Sequence, residues 1–199
     1  MTHQIYRIVL CGTVHSGKTH CFECLKQRIH PNAQAHVYFA EEASTHVMRN
    51  TELHHRKNPL SFQVAVLKQQ YENEDTLNPD FEDNLPSVII CDRGTPDAFV
   101  YLNDSDARSI VGHDLTDTLA RYHLSLYFHP YQPEPDNIKS NNSFRYESFD
   151  ELERLEEKTF EIWKQHRNRF DIDTFPNFKD KVDFVCSLIN KVIGYEIFT

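Results

Sequence analysis

Gly12-Thr13-Val14-His15-Ser16-Gly17-Lys18-Thr19 fits the pattern G-x-x-x-x-G-K-[ST] at every position, and its flanks are those the pattern requires. Before it, Ile5 to Cys11 is an apolar, β-branched run, too short for a helix, that reads as a strand buried on both faces. After it, Gly17 to Ile29 meets no breaker until Pro31, and Cys21, Cys24, Leu25 and Ile29 fall on one helical stripe. A strand, a glycine-containing loop and a helix N-terminus in this order form a phosphate cradle. The glycines let backbone N–H groups face phosphate oxygens, and the helix adds the positive end of its dipole. The cofactor-binding set expected is Gly12, Thr13, Val14, His15, Ser16, Gly17, Lys18, Thr19 and His20. Lys18 should bridge the β- and γ-phosphates and Thr19 should ligate Mg²⁺. His15 occupies a variable position of the loop and is given no catalytic role.

Outward from the loop, strand and helix signals alternate. His36 to Ala40 reads as a second strand feeding a helix that runs to about Arg56, and Pro59 opens a helix carrying Leu60, Val64, Leu67 and Tyr71. The polar stretch from Glu72 to Leu85 reads as a surface connection, and Ser87 to Gly94 as a central strand ending in Asp92 and Arg93. Helical patterns at about 96–102 and 105–122 lead to an apolar run from Leu124 to His129. The proline-bearing stretch at about 130–147 reads as a lid. A charged helix from Phe149 to Arg169, a strand from Phe170 to Thr174 and an amphipathic helix from Lys179 to Ile193 complete the chain. Strands alternating with helices imply a parallel sheet covered on both faces. The fold expected is a three-layer α/β/α P-loop NTPase with a five-stranded parallel sheet of the nucleoside and nucleotide kinase type, in one domain over 1–199.

Thirty Asp and Glu against 21 Lys and Arg give a net charge of −9, and no dense basic run occurs, which argues against nucleic acid as a partner. No apolar stretch approaches membrane-spanning length, and the opening residues lack a basic region followed by an apolar one. Five cysteines, with Cys11, Cys91 and Cys186 inside apolar stretches, fit a reducing compartment. The expectation is a soluble cytoplasmic protein. Cys21-x-x-Cys24 has no second pair to complete a zinc site, and the twelve histidines make no H-E-x-x-H pattern, so no transition-metal site is expected.

A carboxylate must hold the magnesium water shell opposite Thr19, and Asp92 at a strand end is placed for it. The order of signals is more specific than any one of them: the loop, Glu41-Glu42-Ala43 after the second strand, Asp92-Arg93-Gly94-Thr-Pro-Asp97 with Tyr101, then Arg145-Tyr-Glu147. Over nearly the whole chain this resembles the AAA-type ATPase group that includes the nicotinamide riboside kinase domain and the translocation-defect proteins, a branch similar to deoxynucleoside and thymidylate kinases. The resemblance implies that Glu42 or Asp92 acts as base at an acceptor hydroxyl and that Arg93 contacts the acceptor or the transferring phosphoryl group. It also implies that Asp97 and Tyr101 face the acceptor, and that Trp163, His166 and Phe178-Lys179 are structural. Arg145, after the proline-bearing stretch, is placed as a lid arginine, and Arg154, further along the charged helix, reads as a solvated surface arginine ahead of a lid residue. Relatives often carry an arginine soon after the glutamate-alanine pair. Here Ser44 follows and the next arginine is Arg49, a departure that bears on the acceptor.

Each acidic residue also has a plainer reading, since Glu41, Glu42 and Asp97 all suit the first turn of a helix. Asp97 and Tyr101 are spaced to share one helix face. Gln63 and Gln70 could hydrogen-bond an acceptor ring or face water. Asn190-Lys191 is followed by Val-Ile rather than x-Asp, and Gly94 comes one residue early for Asp-x-x-Gly, so ATP is expected ahead of GTP. The function expected is transfer of the γ-phosphoryl of ATP to a small hydroxyl acceptor such as a nucleoside or nicotinamide riboside. The alternative is a nucleotide-dependent regulatory switch with no such acceptor.

Overall fold

Ile8, Val9, Leu10 and Cys11 have no solvent exposure, and they alternate in destination. Ile8 and Leu10 enter one hydrophobic cluster, Val9 and Cys11 another. The two-residue period of a strand forces this division, so strand β1 (Ile5–Cys11) is a wall between two cores. A computed structural model describes residues 4–13, 16–77, 84–130 and 149–199. Its other strands are β2 (His36–Ala40), β3 (Ser87–Asp92), β4 (Leu124–Phe128) and β5 (Arg169–Ile172). Among the described residues these make one five-stranded sheet, ordered β2-β3-β1-β4-β5, with every neighbouring pair parallel. The expected fold class is thus observed.

One face of the sheet is covered by α1 (Lys18–Lys26) and α8 (Phe178–Ile193). Val182, Val185, Cys186, Ile189 and Ile193 of α8 recur at helical spacing and pack with Cys21, Phe22 and Leu25 of α1. The cysteines here are packing residues. Burial lifts the Cys21 thiol to about 12 and the Cys186 thiol to about 11, so both stay protonated. The opposite face carries α3 (Pro59–Asp75), α4 (Ala98–Tyr101), α5 (Asp104–Val111), α6 (Leu115–Leu119) and α7 (Phe149–Trp163), with α2 (Ala43–Asn50) against α3.

Several element boundaries differ from the sequence reading, each for a local reason. Helix α1 stops at Lys26 instead of Ile29, because the Gln27 and Arg28 N–H groups turn back to Cys24 and Leu25 carbonyls and Ile29 bridges to Phe198. Helix α2 ends at Asn50, well before Arg56, where Thr51 becomes extended and its hydroxyl donates to the Val47 carbonyl at 2.8 Å. The pattern over 105–122 is two helices, divided at Gly112 in the left-handed conformation. Helix α7 ends at Trp163, short of Arg169, and Arg169 opens β5. Glu72 to Leu85 is not wholly a surface connection either: α3 continues to Asp75, and Glu74 within it is completely buried. The lid expected at about 130–147 lies outside the described residues except for Pro130.

Gly12 follows β1 with φ +122°, and a Cβ there would stand 2.3 Å from the Phe128 carbonyl oxygen of β4. The close approach of β4 therefore demands glycine at the first position of the phosphate loop. Gly12→Ala is expected to destabilise the protein by about 1–3 kcal/mol, from overpacking and strained backbone together. Thermal unfolding without nucleotide would read this as a clear drop in Tm. An unchanged Tm would mean that the loop re-aims freely.

Candidate functional site

The C-terminal ends of β1 and β3 lie side by side, with Leu10 opposite Asp92. In an open parallel sheet the crevice beyond the strand ends, where strand order reverses, is where ligands bind. Here β1 ends in the glycine loop. Gly17 takes the left-handed conformation at the N-cap of α1, where no side chain caps the helix and the first turn holds no acid. The first N–H groups of α1 are thereby left for an anion. Lys18 is largely buried. Its Nζ donates to the Thr13 carbonyl at 2.8 Å, as does the Ser16 hydroxyl at 2.9 Å. Thr19 and His20 are exposed on the first turn, and the His20 ring lies 4.3 Å from that of Phe178. Val14 and His15 lie outside the described residues.

Asp92 ends β3 with 1 % exposure. Burial raises its pKa, and the nearby Lys18 ammonium, with Arg93 and the Thr19 hydroxyl, works against the rise while Glu42 adds to it. Its Oδ1 atom has no hydrogen-bond partner among the described residues. A buried carboxylate oxygen without a donor is destabilising in the empty protein, and a hydrated cation beside Thr19 would satisfy it. Among the described residues no cluster of three or more His, Cys, Asp or Glu could hold a metal by itself. Magnesium bound to a nucleotide needs no such cluster, because one or two protein oxygens, waters and phosphates complete its shell. The residues present fit that ion.

Beside the loop opens a cavity of about 560 Å³ whose lining includes Thr13, Glu42, Arg93, Asp97, Tyr101 and Gln63. Arg93 is its centre. Nε donates to Glu42 Oε1 at 2.9 Å, and Nη1 donates to Asp97 Oδ2 at 3.3 Å and to the Gly12 carbonyl at 3.4 Å. Burial opposes the Arg93 charge, but Tyr101, Glu42, Asp97 and Asp92 outweigh it and hold its pKa well above the ordinary value. Glu42 stands at the N-cap of α2 without capping it. Its Oε2 accepts from the Thr45 hydroxyl at 2.7 Å. Glu41 instead points to an exposed ion pair with Lys26.

Asp97 lies in the single 3₁₀ turn Thr95–Asp97 and Tyr101 at the end of α4, and both line the cavity as their spacing suggested. The residue that sequence reasoning set aside is Trp163, whose indole N–H donates to Asp97 Oδ1 at 2.7 Å. Its position far along the chain hid this. Arg154, for which the sequence favoured a solvated surface position, stands on the cavity wall, while Arg145 lies outside the described residues. Ser44 also lines the cavity. Arg56 reaches the lining from the turn after α2, whereas Arg49 does not. Gln63 and Gln70 both line the cavity, but Gln70 spends its amide on Glu74 Oε1 and the Arg93 carbonyl, at 2.8 and 3.1 Å. No signal in the sequence separated the two glutamines.

Asp92 is a charge the empty protein holds at a loss, since burial disfavours its ionised form and one oxygen is unsatisfied. Asp92→Asn is therefore expected to raise Tm in the absence of nucleotide, by about 1 kcal/mol of stability. Differential scanning calorimetry in chelator would check it, and a lowered Tm would show that the charge supports the fold through Lys18.

The chain matches the family model described as an AAA domain over residues 7–181. None of the curated proteins compared with it matches. Among solved structures, a NadR protein in complex with NR superimposes with a TM-score of 0.67 at 16% identity, covering 98% of this chain and 53% of that one. A NadR protein in complex with NAD and AMP-PNP gives 0.61 at 13% identity, covering 98% and 51%. The chain thus spans about half the length of those two proteins, and at these identities they show a shared fold. With most of its residues inside the matched region and an intact G-x-x-x-x-G-K-[ST] loop at the end of the central strand, this chain belongs to the AAA domain family.

Proposed function

We propose that this protein binds ATP with magnesium and transfers the γ-phosphoryl group to a hydroxyl of a small acceptor of the nucleoside or nicotinamide riboside kind. The observation that carries this reading is the cavity that adjoins the phosphate loop, sharing Thr13 with it and holding Glu42, Arg93 and Asp97. A volume of about 560 Å³ suits a small molecule. A regulatory nucleotide switch has no need of such a chamber. The solved neighbours add support, since one is in complex with NR and the other with NAD and AMP-PNP.

In this reading Lys18 leaves the Thr13 carbonyl for the β- and γ-phosphates, and Thr19 and Asp92 hold the cation. Magnesium, when bound, neutralises charge on the phosphate oxygens. The roles of the two acids separate by position. Asp92 is buried behind the loop next to Lys18 and is absent from the cavity lining, whereas Glu42 lines it. Glu42 is therefore the group that takes the acceptor's hydroxyl proton. Arg93 steadies Glu42 and Asp97, and its Nη2 makes no hydrogen bond to the described residues, so it is available to the transferring group. Positioning and charge neutralisation are most of what this reaction asks of a protein. Gln63, 9 % exposed with its amide unpartnered among the described residues, would read a polar edge of the acceptor's ring.

The test is turnover of ATP by wild type, Lys18→Ala and Gln63→Leu with a panel of nucleosides and nicotinamide riboside. Acceptor-dependent turnover is expected to vanish in Lys18→Ala. In Gln63→Leu the KM for the acceptor should rise about tenfold, the size of one lost hydrogen bond, with the KM for ATP unchanged. Lys18-dependent nucleotide binding with no acceptor-stimulated turnover would instead favour the switch, and absence of nucleotide binding would overturn both.

A further inference from the structure

Arg93 is the one non-glycine among the described residues with a positive φ, +76°. Residues bearing a Cβ avoid this conformation, and it persists only where the surroundings over-determine it. Here the peptide groups on both sides of the turn are gripped by side chains, one from the cavity wall and one from behind it. The Arg93 carbonyl accepts from Gln70 Nε2 at 3.1 Å, and the Thr95 N–H donates to the Tyr122 hydroxyl at 2.8 Å. Both grips end on a single atom, because Gln70 Nε2 and the Tyr122 hydroxyl donate to Glu74 Oε1 at 2.8 and 2.7 Å.

Glu74 is completely buried and does not line the cavity. Its Oε2 accepts from Arg121 Nη2 at 3.1 Å and lies 4.0 Å from Arg7 Nε. Burying an ion pair is a poor way to gain stability, and an apolar contact would fasten α3 to the sheet equally well. A carboxylate does what an apolar residue cannot. It takes the single proton of the Tyr122 hydroxyl, which turns that oxygen's lone pairs toward the Thr95 N–H. Burial, with Glu74 beside it, raises the Tyr122 pKa far enough to keep that proton in place. Gly94 belongs to the same arrangement, since a Cβ there would meet the Tyr122 ring and hydroxyl at 2.8 Å.

We propose that Glu74, acting through Gln70 and Tyr122, is a positioning residue for Arg93. It braces the Arg93–Thr95 backbone from behind so that the guanidinium reaches Glu42, Asp97 and the Gly12 carbonyl. The consequence for turnover rests on the phosphotransfer reading, whereas the consequence for Arg93 geometry does not.

Tyr122→Phe removes one oxygen and keeps the ring against Trp163, and Gln70→Met removes the amide at similar volume. Both are studied well below their melting temperatures. The first readout is the Arg93 Nε–H signal in ¹⁵N NMR, assigned by its loss in Arg93→Lys. The brace predicts that this signal shifts and that its exchange with solvent speeds up at least about tenfold in each variant, while the amide spectrum stays folded. The second is kinetic: kcat should fall between about tenfold and a hundredfold, with nucleotide affinity unchanged, the size expected for a misplaced group. A lower Tm with the Arg93 signal and kcat both unmoved would make Glu74 a purely structural residue and overturn the proposal. Should wild type show no acceptor-dependent turnover, the phosphotransfer reading fails by itself, and the NMR result still decides the brace.

Discussion

The pairing of β1 with β3 fixes everything downstream of it. With Leu10 opposite Asp92, the two strands end together. The glycine loop and the buried carboxylate are therefore neighbours by construction, which brings Lys18 and Thr19 to Asp92. The next bond in the same ladder, from the Arg93 N–H to the Leu10 carbonyl at 3.1 Å, carries the register one residue past the strand and delivers Arg93 to the cavity. A slip by one residue would turn Asp92 into the core and Cys91 toward the loop. The apolar alternation through Val88, Ile89, Ile90 and Cys91, split between two cores, forbids that slip.

Two kinds of acid meet at this edge, and burial sorts them. Asp92 is held next to Lys18 with one oxygen unsatisfied, an arrangement that only a cation or a proton relieves. Glu42 and Asp97 are each satisfied at both oxygens by Arg93 together with Thr45 or Trp163. Satisfied carboxylates hold their geometry, and the unsatisfied one awaits a ligand. That contrast is more informative than the presence of acids in the cavity, because acidic first turns are common for reasons unconnected with chemistry.

Behind the cavity the chain keeps a second charged cluster of Glu74, Arg121 and Arg7, touching the first only through backbone. It links α3, the turn after β3 and the segment before β4. Sites built on rigid elements still need support from the residues behind them, and here that support reaches a turn whose backbone is held in an unfavourable conformation.

The sequence by itself determined the fold and the position of the glycine loop. Strand period, helix period and a contiguous eight-residue motif are local signals, and Gly12, Lys18 and Thr19 lie inside that motif. Asp92 was legible as the carboxylate that ends an apolar strand. The cavity beside the loop was legible only as a set of candidate residues. Glu42 and Asp97 could each have been helix-turn acids, and what distinguished them from Glu41 was a guanidinium 51 residues from Glu42 and an indole 66 residues from Asp97. Only the tertiary structure decided that of two glutamines on the cavity wall Gln70 serves the backbone, and that Trp163 and the buried Glu74 bear on the site. Side-chain partners so distant in sequence leave no periodic trace, because their meeting is set by how helices pack on the sheet and not by any spacing along the chain.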